Sequence, residues 1–468
     1  MSHHHGMNPL SGMHAFCSQG GHAHAGNRFG RLFDLPPLYL NPHDLIELGK
    51  VNGPMDGKKQ ADRTKSVPVG LIFFGQFVDH DITLDISSSF SSNAEPENTP
   101  NTRTPTLDLD CVYGLGPEAH PYLYHAAGDF SGVKLLTGAD VPNPVAFEKD
   151  DLARSVQGTA IIGDPRNDEN RIVSQLQLGM IRFHNRVVDH LSGGKKKLSG
   201  KELFEEARRL TTWHYQWVVV NEYLVAVCGG YIVDEILACG RRLYCPNGGE
   251  PFIPIEFSVA AYRFGHSMIP PRIRVQKGGG TPEIFGPELG EGFSPISSPD
   301  AVVEWGELLD TGAGTAVQRA DKLDTKMTRD LLALPFIKGG IRSLAVRNLL
   351  RGQTFLLPSG EKVAEAVGRP AGEINDVRKF AQSAAGGTID FSHGTPLWYY
   401  LLAEAEVIGR QKSETVFEES EGLGPTGARI VAETIIGLIE LDDRSWLGAN
   451  RNWTPQDGLG VSTLGEML

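Results

Sequence analysis

Apolar residues recur at helical spacing along most of this chain. In residues 171–191, Ile172, Leu176, Met180 and Val187 lie four or seven positions apart and form one stripe of an amphipathic helix. Comparable patterns predict further helices over residues 201–227, 255–269, 395–410 and 424–441. No series of segments shows the alternation that is typical of strands. The pattern therefore predicts a mainly α fold with very little β structure.

The predicted helices belong to one large domain. The chain has 468 residues, of which 40% are hydrophobic, so it can bury a large core. No Pro-, Gly- or Ser-rich linker divides the interior, and no segment repeats at a fixed period. We expect a single domain over residues 28–455, a flexible His- and Gly-rich extension over 1–27, and a short tail over 456–468.

Composition excludes several classes of partner. The net charge of −13 argues against nucleic acids and anionic membranes, because both select basic surfaces. No apolar run reaches the roughly 18 residues of a membrane span, and the N-terminus has no apolar signal-peptide core. Five cysteines in a chain of this length do not form a disulfide framework. We expect a cytoplasmic protein, or one that is exported without a cleaved signal.

The N-terminal extension carries six histidines within its first 24 residues. Such a tail could bind a metal ion. The extension has a single cysteine, Cys17, and no carboxylate to complete a site, so a mobile terminus is the favoured interpretation.

The stretch FGQFVDHD, residues 74–81, places three polar groups on an otherwise apolar helix. In a helix, Gln76, Asp79 and His80 share one face, while Phe74 and Val78 lie on the opposite face. Burying a carboxylate and an imidazole among apolar residues is costly unless the interior uses them. The spacing therefore predicts a polar pocket with a titratable centre.

A second stretch, RTPTLDLDCVYG, supplies oxygen atoms at alternate positions. Thr104, Thr106, Asp108 and Asp110 point to one side of an extended segment, and Asp81 could complete a Ca²⁺ site with them. The segment lacks the glycine and glutamate of an EF-hand. Alternate acids are more often the solvated face of a strand, so the spacing alone leaves both interpretations open.

Two further motifs hold candidate residues. GDPRNDEN, residues 163–170, places Arg166 and Glu169 just before a predicted helix, with Asn167 or Asp168 as its expected N-cap.

AYRFGHSMIPP, residues 261–271, places His266 on a predicted helix. A single histidine on an apolar helix is usually a core residue. Here the neighbouring Gly265 removes a side chain, which would let a flat cofactor approach the backbone.

Taken together and in this order, FGQFVDHD, RTPTLDLDCVYG, GDPRNDEN, AYRFGHSMI and VRNLLRG resemble the animal-type haem peroxidases of the peroxidase–cyclooxygenase superfamily. The resemblance covers residues 28–455 and implies a single helical peroxidase domain that binds haem b and Ca²⁺. It also implies H₂O₂ as the oxidant.

The resemblance assigns roles to the two candidate histidines and their neighbours. His80 matches the distal histidine, Gln76 the amide beside it, and Arg166 the distal arginine. His266 matches the proximal iron ligand, and Asn348 matches the side chain whose carbonyl accepts the other ring N–H of that ligand.

The remaining roles concern the haem periphery and the cation. Asp79 and Glu169 match acids that can form ester bonds to haem, and Arg263 and Arg351 match arginines near its propionates. The calcium ligands implied by the resemblance are Asp81, Thr104, Thr106, Asp108 and Asp110.

The activity implied is reduction of H₂O₂ through a ferryl porphyrin radical, which then oxidises a halide, a pseudohalide or a small aromatic donor. Family members that oxidise chloride carry a methionine where this chain has Asn170. Bromide, iodide or thiocyanate is therefore expected rather than chloride.

Two alternatives remain. A fatty-acid dioxygenase of the same superfamily would carry a tyrosine three residues before the proximal histidine, where this chain has Arg263, with Tyr262 one position earlier. The second alternative is a haem- or calcium-binding interaction protein without turnover.

Overall fold

The computed structural model describes residues 29–58, 61–84, 96, 99, 101–140, 148–194, 198–246, 250–290, 292–312, 316–387 and 389–468. The predicted extension over 1–27 lies outside these residues. Within them the fold is mainly helical, which confirms the predicted class. The helices of eight or more residues are α1 (Pro42–Gly49), α2 (Val69–Ile82), α3 (Arg171–Ser192), α4 (Gly200–Val218), α5 (Gly230–Cys239), α6 (Leu344–Thr354), α7 (Gly360–Val367), α8 (Ala371–Ala384), α9 (Leu397–Val407) and α10 (Pro425–Leu441).

Strands form three small two-stranded sheets in the described part of the chain. They are β1 (Phe29–Gly30) parallel to β3 (Ile253–Pro254), β2 (Arg63–Pro68) antiparallel to β4 (Arg319–Asp321), and β5 (Arg410–Gln411) antiparallel to β6 (Phe417–Glu418). In the longest pair, Arg63 faces Asp321 and Pro68 faces Arg319. These sheets tie loops to the helical core and build no layer of their own.

The core surrounds α10, which is buried along almost its whole length. The helix is mostly apolar, and its two buried charged residues, Arg429 and Glu433, pair with each other at 3.4 Å. Its first turn exposes backbone N–H groups to the interior, and the buried Glu404 accepts hydrogen bonds from the N–H groups of Thr426 and Gly427. The carboxylate thus satisfies donors that the helix cannot pair itself.

Helix α2 lies in the same core and contacts α3, which in turn packs along α4. Gly75 permits a close approach there, because a Cβ at this position would lie 2.4 Å from the hydroxyl oxygen of Tyr223. The predicted helix over 201–227 is nearly continuous, with a wide turn at Val219–Leu224 between α4 and a short helix at Val225–Cys228. These elements carry most of the candidate site.

The C-terminal segment over 456–468 does not extend from the domain as a separate tail. A short helix, Leu464–Met467, packs against α3, and the side chain of Leu464 is fully buried. The apolar residues of this segment explain its packing. Among the described residues, no helix is both long enough and apolar enough to cross a membrane.

Candidate active site

A cavity of about 780 Å³ brings together residues from distant parts of the chain. One side, which we call the α2 wall, consists of Gln76 and Asp79 from α2 with Arg166 and Glu169 from the turn before α3. A second group of lining residues, which we call the His266 wall, consists of Arg263, His266 and Arg351. Most of the remaining lining is apolar. This volume lies within the range of cofactor and ligand pockets.

His80 is fully buried behind the α2 wall. Its Nδ1 lies 2.7 Å from Oδ1 of Asn167, and its Nε2 lies 4.0 Å from Oε1 of Glu169. Burial, reinforced by the positive charge of Arg166, lowers the pKa of His80 to about 3. The imidazole is therefore neutral at physiological pH and can accept a proton.

Arg166 lies in a short turn, Pro165–Asp168, that precedes α3. Its Nη2 donates to the His80 carbonyl oxygen at 2.8 Å and to the Asp164 carboxylate at 2.7 Å. Because this turn is separate from α3, the helix is capped by Asn170, whose side chain accepts from the N–H of Val173. The prediction of Asn167 or Asp168 as the N-cap was therefore wrong.

Asp164 is fully buried between two arginines. Besides Arg166, it pairs with Arg103, whose Nη1 lies 3.0 Å from Oδ1 of Asp110. Burial alone would raise the pKa of Asp164, but the two arginines hold it below its usual value. A ladder of alternating charges thus connects the α2 wall with Asp110.

Two carboxyl groups face the cavity from the α2 wall. Burial raises the pKa of Glu169 to about 8, and burial also raises the pKa of Asp79. The Gln76 amide donates to Glu169, and the Thr83 hydroxyl donates to Asp79 at 2.9 Å. Glu169 is therefore largely protonated at neutral pH.

His266 lies in an irregular segment. The helix predicted over 255–269 is present but irregular: a π-helical segment, Glu256–Ala260, is followed after a break at Ala260 by a 3₁₀ helix, Ala261–His266. Side chains occupy backbone acceptors here, because Ser258 donates to the Pro254 carbonyl and Arg263 donates to the Ser258 carbonyl at 2.9 Å. These bonds compete with the regular helical pattern.

Asn348 of α6 contacts the ring of His266. Its Nδ2 lies 2.9 Å from Nδ1 of His266, whereas its Oδ1 accepts from Nη1 of Arg263 at 3.1 Å. The resemblance implied that the carbonyl would face the ring. An arginine can only donate, so it takes the carbonyl and turns the amide nitrogen toward the histidine. Burial and the charge of Arg263 lower the pKa of His266 to about 3.

Three arginines line the cavity near His266. The predicted Arg263 and Arg351 are joined by Arg347, which was not among the predicted site residues. Burial and the neighbouring Arg351 lower the pKa of Arg347. This cluster suits a ligand with carboxylate groups.

The candidate cation ligands also meet. Carboxylate oxygens of Asp81, Asp108 and Asp110 lie within 4.8 Å of one another. The segment is not the extended strand that the parity of positions suggested, because its backbone bends and Leu109 has a φ of 58°. The bends still direct Asp108 and Asp110 toward Asp81. Thr104 donates to Asp108 at 3.3 Å.

The carboxylates in this cluster repel one another. Burial raises the pKa of Asp110 to about 7, and burial together with Asp110 and Asp108 raises the pKa of Asp81. Oδ1 of Asp81 and Oγ1 of Thr106 are buried with no hydrogen-bond partner among the described residues. Oxygen atoms left in this state fit a hard cation such as Ca²⁺.

Several residues of the site were missed: Arg103, Asp164, Asn167 and Arg347. Only Asp164 carried a local signal, since an Asp directly before a Pro is a preferred start of a helical turn. The others act through contacts between distant parts of the chain. His80 and Asn167, for example, are separated by 87 positions.

The chain also matches a known protein family. The family model described as animal haem peroxidase matches residues 86–389, well over half of the chain. The chain belongs to the animal haem peroxidase family. The match includes Arg166, His266 and Asn348 and begins six positions after His80.

Curated relatives of this haem peroxidase chain are peroxidases of greater length. Peroxidase mlt-7 of Caenorhabditis elegans is 26% identical over 279 residues, which cover 58% of this chain and 36% of that protein. Thyroid peroxidase of Homo sapiens is 25% identical over 298 residues, which cover 60% and 31% respectively. The chain thus aligns with only about a third of the length of these relatives.

Solved structures share the fold. Peroxidase A from Dictyostelium discoideum has a TM-score of 0.65 at 18% identity, with 94% of this chain and 92% of that chain covered. The fatty acid alpha-dioxygenase of Arabidopsis thaliana has a TM-score of 0.60 at 16% identity, with 94% and 77% covered. At these identities the likeness confirms the helical peroxidase fold alone.

Proposed function

We propose that this chain is a haem-dependent peroxidase that reduces H₂O₂ and oxidises small donors. One observation carries the proposal. Around one cavity lie a neutral histidine and an arginine, His80 and Arg166, together with a second neutral histidine from a distant part of the chain, His266. A peroxidase needs an axial ligand on one side of its iron and a proton acceptor on the other.

The residues of the cavity fit haem b. The apolar lining suits a porphyrin ring, and His266 would offer a neutral imidazole nitrogen as a ligand for the haem iron. Arg263, Arg347 and Arg351 would hold the propionates. When bound, haem would supply the iron centre that takes two oxidising equivalents from H₂O₂.

Residues at the α2 wall would transfer the proton of H₂O₂ and stabilise the charge that develops during its reduction. His80 would accept a proton from H₂O₂ and return it to the departing oxygen. Arg166, held by Asp164, would stabilise the negative charge that develops as the O–O bond breaks. Neither group needs to reorganise for this, since both are fixed by buried hydrogen bonds.

The Asn348 amide would change its orientation when His266 binds the haem iron. A neutral imidazole that binds a metal through Nε2 carries its proton on Nδ1, and so needs an acceptor there. We expect the amide to turn its oxygen toward His266 in the loaded protein, exchanging its present contact with Arg263.

Asp79 and Glu169 would be the residues that form ester bonds to haem. Both line the cavity, and both have raised pKa values. Asp81, Asp108, Asp110, Thr104 and Thr106 would hold Ca²⁺. Asp81 directly follows His80, so the cation would also fix the end of α2.

We propose bromide, iodide, thiocyanate or small aromatic molecules as donors. Chloride is not expected, because the Asn170 side chain caps α3 and contacts Gln76 at 3.4 Å. An amide cannot form the sulfonium link that a methionine would form at this position.

A fatty-acid dioxygenase is less well supported. The residue three positions before His266 is Arg263, which is committed to Asn348 and the Ser258 carbonyl. Oxygen uptake with linoleate, compared with oxidation of guaiacol or bromide by H₂O₂, separates the two activities.

To test the proposal, haemin is added to the purified chain, and the H₂O₂-dependent oxidation of guaiacol and of bromide is measured. We expect turnover with both, and its loss in His80→Leu. A chain that binds haemin but shows no spectral change and no turnover with H₂O₂ would instead be a binding protein.

A further inference from the structure

His80 has two ring nitrogens. It can accept a proton on the side of the cavity only in one ring orientation and one tautomer. Its Nδ1 contacts Asn167 and its Nε2 is directed toward Glu169 of the α2 wall. For Nε2 to act as the acceptor, the ring proton must lie on Nδ1. Whatever faces Nδ1 therefore decides whether His80 is ready to react.

The group that faces Nδ1 has a fixed orientation. Nδ2 of Asn167 donates to Oε1 of Gln177 at 2.8 Å, and Nε2 of Gln177 donates to the carbonyl oxygen of Cys111 at 3.3 Å. A backbone carbonyl can only accept, so it orients Gln177. Gln177 in turn orients Asn167, and the oxygen of Asn167 must face His80.

These three side chains are all buried, which strengthens the constraint. Turning either amide would place two donors or two acceptors against each other away from water, and a buried polar group without a partner is costly. The relay also ends at Cys111, next to Asp110 of the candidate cation site. It therefore links His80 to that segment by a route separate from α2.

We propose that Asn167 is a positioning residue that, held by Gln177, keeps His80 as the Nδ1–H tautomer with Nε2 available as the proton acceptor. This inference rests on the proposed peroxidase function. Asn167 itself touches neither H₂O₂ nor the donor. Its effect should therefore appear in the reaction with H₂O₂ and leave the donor step unchanged.

The test compares three variants of the haemin-loaded chain. Asn167→Leu removes the acceptor, whereas Asn167→Asp keeps an oxygen acceptor for Nδ1–H. Asn185→Leu is the matched control, because Asn185 lies on α3, the helix that carries Gln177, and binds only the backbone of Leu135, through both its Oδ1 and its Nδ2. Stopped-flow absorbance gives the rate constant for H₂O₂, and steady-state kinetics give the KM for guaiacol.

We expect Asn167→Leu to lower the H₂O₂ rate constant by about 10²-fold or more at full haem content, with the KM for guaiacol unchanged. Asn167→Asp should stay within about tenfold of the parent. Asn185→Leu should lower the melting temperature and leave the rate unchanged.

Four results would overturn the inference: an unchanged rate in Asn167→Leu, an equal loss in Asn167→Asp, an equal loss in Asn185→Leu, or a parallel rise in the KM for guaiacol. If Asn167→Leu does not fold, Gln177→Leu replaces it. The released amide could then turn, and the rate should fall by about tenfold; an unchanged rate would again overturn the inference. A parent chain that fails to react with H₂O₂ would instead refute the proposed function itself.

Discussion

The two walls of the cavity are built in different ways. Near the α2 wall, His80 and Arg166 are held by connected side chains, His80 through Asn167 and Arg166 through Asp164. On the His266 wall, the histidine lies in an irregular turn against the Asn348 amide. Each histidine faces an amide that a further side chain orients, but Asn167 presents its oxygen to His80, whereas Asn348 presents its nitrogen to His266.

This difference matches the tasks that we propose. A group that exchanges protons needs a defined tautomer and a defined partner, which only a connected network of hydrogen bonds supplies. A metal ligand needs a defined position, and the metal itself then holds it. Substitutions in the two regions should therefore fail in different ways.

The largest effect is expected from His266→Ala. Without its axial ligand the chain should fail to hold haem stoichiometrically, and the Soret band of the haemin-loaded protein should be lost or greatly weakened. His214→Gln is the control, since His214 is a buried histidine of α4 whose Nδ1 contacts the Val461 carbonyl oxygen. A His266→Ala chain with normal haem content and turnover would remove His266 from the proposed role.

The next effect is expected from Arg166→Leu. Haem content should be retained, while the rate constant for H₂O₂ should fall by about 10²- to 10³-fold because the developing charge loses its donor. Arg166→Lys should recover only part of this rate, since lysine lacks the fork that engages Asp164. Equal loss of haem in Arg166→Leu and His266→Ala would contradict the expected difference between the two walls.

Removing the cation should have a smaller effect. Stripping divalent cations with EDTA should slow the reaction with H₂O₂ by about tenfold or more, because Asp81 and the neighbouring His80 would shift. Ca²⁺ should restore the rate better than Mg²⁺, which demands a stricter geometry. Calcium-free protein that keeps its Soret spectrum and full turnover would contradict the coupling.

The smallest effect concerns the stability of the haem-free protein. The pKa of Glu169 is raised by burial from 4.5 to about 8, so the stability contributed by its protonated form is full below pH 4.5 and is lost as the pH rises to about 8. Glu169→Gln stays neutral. Its melting temperature should therefore exceed that of the parent by a few degrees at pH 8, and match it near pH 4.5.

Glu466→Gln provides a control of opposite sign. Hydrogen bonds from the Ser462 and Thr463 backbone lower the pKa of Glu466. Its ionised form adds stability at high pH, so this substitution should lower the melting temperature there and matter less in acid. A Glu169→Gln difference that is independent of pH would show that the pKa of Glu169 is the same in the folded and unfolded chain.

Regular elements could be predicted from the sequence because apolar spacing determines them. Helix α2 and its polar residues, α3, and the buried α10 follow the predicted segments closely. The structure departs from the predictions where side chains compete with the backbone. Bonds from Ser258 and Arg263 make the expected helix at 255–269 irregular, and the bends at Leu109 replace an extended segment.

The candidate site could be predicted in part. The motifs supplied His80, Arg166 and His266, because each type of residue has a recognisable chemical use. The groups that hold them, such as Asn167 and Asp164, depend on contacts across the fold that leave no local pattern. The orientation of the Asn348 amide likewise depends on Arg263, 85 positions away.

Crystals of the haemin-loaded chain, measured at the iron absorption edge, test the central claim most directly. Our account predicts one anomalous iron peak at bonding distance from the His266 imidazole, with the porphyrin between that ring and His80. An iron peak on another surface, or a chain that takes up no haemin, would contradict it.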